Sequence, residues 1–146
     1  MIVLDTDALS LLMRNPPAAR SLIDRLGAVP IEEVATTIIS FEEQVRGWMS
    51  RIARSRSGAE EVDSYLRLHR LLDDYGRLIV LDYDEEASAQ FRRLRQSRLR
   101  VGTMDLRIAA IALARDATLV TRDLADFGKI PGLRAEDWAA QPDQPC

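Results

Sequence analysis

Met1-Ile2-Val3-Leu4-Asp5-Thr6-Asp7 opens the chain with an apolar run too short for a helix, closed at once by polar and acidic residues. Such a run reads as a strand buried on both faces within a parallel sheet. Thr118-Leu119-Val120-Thr121-Arg122-Asp123 repeats the pattern near the other end of the chain. In open α/β sheets ligands collect outside the carboxyl ends of the strands. Asp5 and Asp123 are therefore expected to converge although most of the chain separates them.

Strands and helices alternate between these two segments. Ala8 to Met13 can form a short helix, and Pro16-Pro17 open a second that Gly27 closes, with Leu22, Ile23 and Leu26 on its apolar face. Val34 to Ile39 is dense in β-branched residues and predicts the second strand. A helix from Phe41 to about Arg54, a break at Ser55 to Gly58, and a helix from Ala59 to Tyr75 predict a helical hairpin. Val62, Leu66, Leu68, Leu71 and Leu72 supply the apolar spacing of its second arm. Leu78 to Leu81 predicts the third strand, Asp84 caps a helix to about Leu99, Thr103 caps another through Ala114, and Leu119 to Thr121 form the last strand. The expected fold class is α/β, a central parallel β-sheet flanked by helices on both faces with a helical hairpin after the second strand. No linker or repeat interrupts it. Residues 1–141 are expected to form a single domain and 142–146 a flexible tail.

With 146 residues and 47% hydrophobic content, the chain is long enough to bury one core. Nothing resembles a signal peptide, and no stretch approaches the ~20 apolar residues of a membrane span, so the expected location is the cytoplasm, away from membranes. The single cysteine, Cys146, is the final residue, which leaves no disulfide framework, thiol cluster or cysteine nucleophile. Of the 20 basic residues only Lys129 is lysine. A net charge of −3 excludes a strongly basic nucleic-acid coat but leaves room for a local track of phosphate-gripping arginines.

Four acids, Asp5, Glu43, Asp105 and Asp123, stand where a strand ends or a helix begins. Each has a local explanation. Asp5 and Asp7 can cap the first helix, Ser40-Phe41-Glu42-Glu43 fits a capping box, Asp105 follows Thr103 in a first helical turn, and Asp123 can serve a turn before Phe127. What these explanations leave open is why every such position carries a hard oxygen ligand. The only histidine, His69, lies within a leucine-spaced helix, no serine has a triad around it, and no glycine loop is built for phosphate. Chemistry here falls to carboxylates, which with water suit Mg²⁺ or Mn²⁺ rather than zinc or copper.

Leu4-Asp5-Thr6-Asp7, Ser40-Phe41-Glu42-Glu43 with Gly47, Asp105-Leu106-Arg107-Ile108-Ala109-Ala110-Ile111-Ala112, and Leu119-Val120-Thr121-Arg122-Asp123 with Asp126-Phe127 and Ile130-Pro131-Gly132-Leu133 stand in this order along the chain. Together they resemble the PIN-domain ribonucleases, and among these the VapC toxin group of bacterial toxin–antitoxin pairs. The resemblance covers essentially the whole chain. It implies a PIN-like fold, a Mg²⁺- or Mn²⁺-dependent endoribonuclease, homodimerisation, and a small VapB-like antitoxin that occludes the site.

Carried over by position, the resemblance makes Asp5, Glu43, Asp105 and Asp123 the metal-holding and catalytic acids, with Asp126 an alternative for the fourth. Glu43 is chosen over Glu42 by its spacing to Gly47. Thr6 and Thr121 are candidates for hydrogen bonds to phosphate or to the ligands. Arg92, Arg95 and Arg98 lie in an arginine run upstream of Asp105 and are candidate RNA contacts, with a solvated helix end as their bland alternative. Arg51, Arg54 and Arg56 form a second cluster at the helical break, and the hairpin of residues 41 to 75 is the expected clamp for antitoxin and RNA, with Trp48, Met49 and Leu68 either facing a partner or, the preferred reading, in the core. Three other functions compete. A phospho-receiver needs a lysine near its phosphoacceptor, where this chain has none; a non-catalytic PIN-fold module binding RNA or protein would not need the intact acid set; a DNA nuclease of the same superfamily shares the ligands.

Overall fold

A computed structural model of the chain describes residues 1–140. The tail expected at 142–146 lies outside the described residues. Strands β1 (Ile2–Leu4), β2 (Val34–Thr37), β3 (Ile79–Leu81), β4 (Thr118–Val120) and β5 (Arg134–Glu136) pair in the order β3-β2-β1-β4-β5, all in parallel. Among the described residues seven α-helices surround the sheet: α1 (Thr6–Arg14), α2 (Arg20–Leu26), α3 (Ile38–Ala53), α4 (Gly58–Gly76), α5 (Glu85–Gln96), α6 (Thr103–Ala114) and α7 (Leu124–Phe127).

Side chains alternate across a strand, so each buried strand feeds two cores. Val3 and Leu119 join Phe91 and Leu94 of α5, Ile108 and Ile111 of α6 and Phe127 on one face. Leu4 and Val120 join Leu9 and Leu11 of α1, Leu22 of α2, and Leu71 and Tyr75 of α4 on the other. This is the expected α/β architecture with helices on both faces, and α3 with α4 forms the expected hairpin. The chain builds β1, β2 and β3 in one direction and then returns to lay β4 and β5 on the opposite side of β1. The reversal between β1 and β4 leaves a crevice at their carboxyl ends.

Several boundaries differ from expectation for identifiable reasons. The β-branched run predicts a strand to Ile39, yet β2 stops at Thr37 and α3 starts at Ile38. Thr37, extended at φ −123° and ψ 156°, accepts a hydrogen bond from the Ser40 backbone N–H at 3.1 Å. The helix cap is therefore Thr37, and the capping box starting at Ser40 does not exist. Nor does Thr103 cap α6: Gly102 occupies that position without a side-chain bond, and Thr103 is the first helical residue. Asp84 does cap α5, accepting from Ala87 N–H at 2.9 Å. β5 follows the strand expected to be last. Its Arg134-Ala135-Glu136 sequence carries no apolar run because it forms a charged sheet edge, which discourages pairing with other chains.

The apolar spacing of α4 divides between two surfaces. Leu71 and Tyr75 enter the core, whereas Val62, Leu66 and Leu72 are 60%, 62% and 63% exposed. Met49 of α3, assigned to the core from sequence, is also exposed, while Trp48 and Leu68 are half-buried. Val62, Leu66 and Leu72 line a groove of about 700 Å³ with Phe41 and Val45 of α3.

Leu119→Ala, at a fully buried position in β4, is expected to cost about 2–5 kcal/mol in chemical denaturation. Ile79→Ala, on exposed edge strand β3, is expected to cost less than about 1 kcal/mol. Similar costs at both positions would contradict this placement of the core.

Candidate metal centre

Asp5 follows β1 directly. Its backbone N–H donates to Val120 O at 3.1 Å, which ties it to the end of β4, and its carboxylate caps α1 by accepting from Ala8 N–H at 2.8 Å. Asp123 repeats the device after β4, capping α7 by accepting from Asp126 N–H at 3.1 Å. Asp105 stands in the first turn of α6, and Glu43 projects from α3 just beyond the Thr37 cap. All four expected acids line one cleft of about 740 Å³ with Thr6, Asp7, Ser10, Arg122 and Phe127. Asp105, Asp123 and Asp126 come closest together, each offering a carboxylate oxygen within 4.8 Å of the others. Asp126 is thus part of the cluster beside Asp123, although Lys129 Nζ also donates to it at 3.2 Å.

Two threonines organise these carboxylates. Thr6 Oγ1 donates to Glu43 Oε1 at 2.7 Å and lies 3.0 Å from Ser40 Oγ, which in turn lies 3.3 Å from Thr37 Oγ1. The residue that caps α3 thereby connects to the one that holds Glu43. Thr121, fully buried, accepts from Asp123 N–H at 2.9 Å, and its hydroxyl also lowers the pKa of Asp5 by hydrogen bonding. The sequence marks both threonines as candidates but does not identify the groups they orient.

Burial is the main reason the Asp105 carboxyl is pushed up to about 6, followed by the charges of Glu43, Asp5, Asp123 and Asp126. Asp5 also rises to about 6. Burial leads again, opposed by bonds from Thr121 and the Ala8 N–H and reinforced by Asp7 and Glu43. Asp7 moves the other way, held low chiefly by hydrogen bonding to Arg122, whose Nε and NH2 donate to its two oxygens at 2.7 and 3.1 Å. With both oxygens engaged by one guanidinium, Asp7 serves the rim rather than the cluster. Neither Arg122 nor Ser40 was singled out from sequence as a site residue, because no local pattern joins Asp7 to a residue so distant along the chain.

The donor set is made of carboxylate oxygens, supported by hydroxyls, without a thiol or imidazole among the lining residues. Burial together with the mutual repulsion of the acids lifts two carboxyls toward neutral pH, and a hard divalent cation offsets both, so these residues fit such an ion. Arg92, Arg95 and Arg98 are exposed and do not line the cleft; Arg92 and Arg95 stand on α5, and Arg98 just beyond its end in a left-handed conformation, φ 52°. Among the described residues no helix is long and apolar enough to cross a membrane.

A family model described as PIN domain matches residues 2–133. The tRNA(fMet)-specific endonuclease VapC of Salmonella typhimurium is 42% identical over 66 residues, covering 42% of this chain and 50% of that protein. Ribonuclease VapC1 of Haemophilus influenzae strain R2866 is 26% identical over 141 residues, covering 93% of this chain and 96% of that protein. The chain thus spans about half the length of the Salmonella relative in the matched stretch, but nearly all of the Haemophilus one. Among solved structures, a chain of the Rickettsia felis VapBC2 complex bound to promoter DNA superposes with a TM-score of 0.71 at 26% identity, covering 94% of this chain and 99% of that one. The DNA-bound VapBC of Salmonella typhimurium gives 0.70 at 27% identity, covering 94% and 97%.

An aspartate whose folded pKa exceeds its unfolded value penalises the fold once ionised. The penalty is absent below about pH 4 and grows as pH rises through about 6. Metal-free protein is therefore expected to lose thermal stability between about pH 4.5 and pH 7, by on the order of 2 kcal/mol for the buried Asp5 and by less for the more exposed Asp105, which solvent screens. Asp105→Asn should lose less and melt above wild type at pH 7; identical pH dependence in the two proteins would contradict the raised Asp105 carboxyl.

Proposed function

The chain belongs to the PIN domain family, and from that premise we propose that it is a Mg²⁺- or Mn²⁺-dependent endoribonuclease, the toxin of a toxin–antitoxin pair acting in the cytoplasm. The observation that carries this reading is the convergence of carboxylates from four separate segments on the crevice beside β1 and β4. The ribonuclease names of the VapC relatives and the toxin–antitoxin complexes among the structural neighbours support the reaction and the partner.

In this reading Asp5, Glu43, Asp105 and Asp123, assisted by Asp126, hold the metal. When bound, the ion supplies Lewis-acid activation of a water and neutralises charge on the phosphodiester. Thr6 fixes the Glu43 carboxylate, and Thr121 spans Asp5 and the Asp123 backbone, so little reorganisation is needed when substrate arrives. Arg122 holds Asp7 at the rim, keeping a positive group beside a cleft that would otherwise repel phosphate. The exposed apolar groove between α3 and α4 is the surface assigned to a VapB-like antitoxin. Homodimerisation completes the proposed assembly.

Purified wild type is expected to cut a structured RNA pool with Mg²⁺ or Mn²⁺ and to stop with chelator. Asp105→Asn, purified identically, should lose roughly 100-fold or more activity without loss of fold. Cleavage by neither protein, or equal cleavage by both, would favour a non-catalytic binding module. A second expectation concerns the arginines of residues 92 to 98. An Arg92/Arg95/Arg98 alanine variant should bind RNA with a shallower salt dependence, and an unchanged slope would remove these residues from the RNA path.

A further inference from the structure

A second depression, about 490 Å³, lies between α1, α3 and α4 and meets the acidic cleft at Ser10, which lines both. Its charge is opposite. Arg14, Arg51, Arg67 and Arg70 line it against a single carboxylate, Asp74. Among the described residues Arg14, Arg51 and Arg70 have no salt-bridge partner, and Arg67 has only the long 3.7 Å contact with Asp63. Trp48 stands in the same wall, half-buried, with the Arg51 and Arg67 guanidiniums 4.9 and 5.9 Å from its ring centroid. Such a guanidinium–indole stack is a planar, cationic surface of the kind on which nucleobases pack.

Gly47 adds an independent sign. It lies inside α3, where glycine costs roughly 1 kcal/mol relative to alanine. A Cβ built there meets nothing within 4 Å, so the protein's own packing does not require glycine. Gly47 lines the groove beside Trp48, where a missing side chain keeps the wall open to close approach. Ser10 completes the junction. Its Oγ accepts from Gln44 Nε2 at 2.8 Å, and Tyr75 OH donates to Gln44 Oε1 at 2.6 Å, which fixes the acceptor side of the serine and leaves its own proton to donate.

We propose that this groove holds the single-stranded RNA segment flanking the cut. Arg14 and Arg70 grip its phosphates, one unstacked base packs at Trp48, Arg51 and Arg67, and the chain passes Ser10 into the acidic cleft. The inference rests on the nuclease reading for its substrate. It adds the path of the strand and a requirement for unpaired RNA, since bases stacked within a duplex do not offer their faces to Trp48.

The test uses the full chain carrying Asp105→Asn, in chelator, with three probes: a fluorescein-labelled ten-nucleotide RNA of mixed sequence, a blunt RNA duplex of equal length, and a labelled polyglutamate peptide. The single strand should bind at least about tenfold tighter than the duplex. Adding Arg14→Gln and Arg70→Gln, both at exposed positions, should weaken single-strand binding by about tenfold or more and flatten its salt slope by about 1.4. Adding Trp48→Leu should weaken it about 5- to 100-fold while leaving the slope unchanged, and Gly47→Leu should block the groove with the melting temperature retained. Unchanged affinity and slope in the arginine pair would overturn the proposal, as would equal binding of duplex or preference for polyglutamate, which would make the groove a seat for an acidic peptide. If wild type cuts with metal, the same groove substitutions placed in the wild-type chain leave cutting normal, and the Asp105→Asn versions bind normally, the groove falls and the nuclease stands. If the variants lose single-strand binding but wild type never cuts, the groove stands and the nuclease falls.

Discussion

β1 is hydrogen-bonded along both edges, and every other feature of the molecule is placed by that double pairing. Ile2 registers with Val34 on one side and with Thr118 on the other, while Leu4 faces Val120. The strand is only three residues long, so Asp5 is delivered to the crevice with almost no freedom, and its own N–H continues the bonding to Val120. Shifting this register by one residue would exchange Val3 and Leu4 between the two cores and turn the carboxylate away from the sheet end.

Capping and metal binding first look like rival explanations for the acids. The geometry makes them compatible, since a carboxylate has two oxygens and more lone pairs than a cap consumes. Asp5 accepts the Ala8 N–H on Oδ1, and Asp123 accepts the Asp126 N–H on Oδ1. Each aspartate is oriented by the start of a helix, whose positive end offsets part of the repulsion at the cleft. Asp5 and Asp105 remain raised because burial, the leading cause at both, adds to the repulsion that the helix end does not cancel.

The sequence makes the sheet, the hairpin and the four acids legible because strand ends and helix starts carry strong short-range signals. It fails where two signals coincide. Val34 to Ile39 is β-branched throughout, and only the extended backbone at Thr37 and its bond to Ser40 place the turn into α3 three residues before the expected helix start. β5 escapes notice because a charged edge strand lacks the apolar pattern by which strands are read. Asp7 with Arg122, and Thr6 with Glu43, are joined through space by the crossovers of the fold. On α4 the leucine spacing is read correctly as helical, but periodicity cannot say that Leu71 faces the core while Leu66 faces outward.

The sheet is not built in the order in which its strands lie. β4, the neighbour of β1 and the carrier of Thr121 and Asp123 at its end, is made fourth of the five. A growing chain therefore exposes β1, β2 and the α3–α4 hairpin long before the crevice has its second wall. A partly synthesised chain holds Asp5, Glu43 and Asp105 before β4 supplies the neighbouring wall that sets Asp123 beside them, so the cleft is among the last features of the fold to be completed.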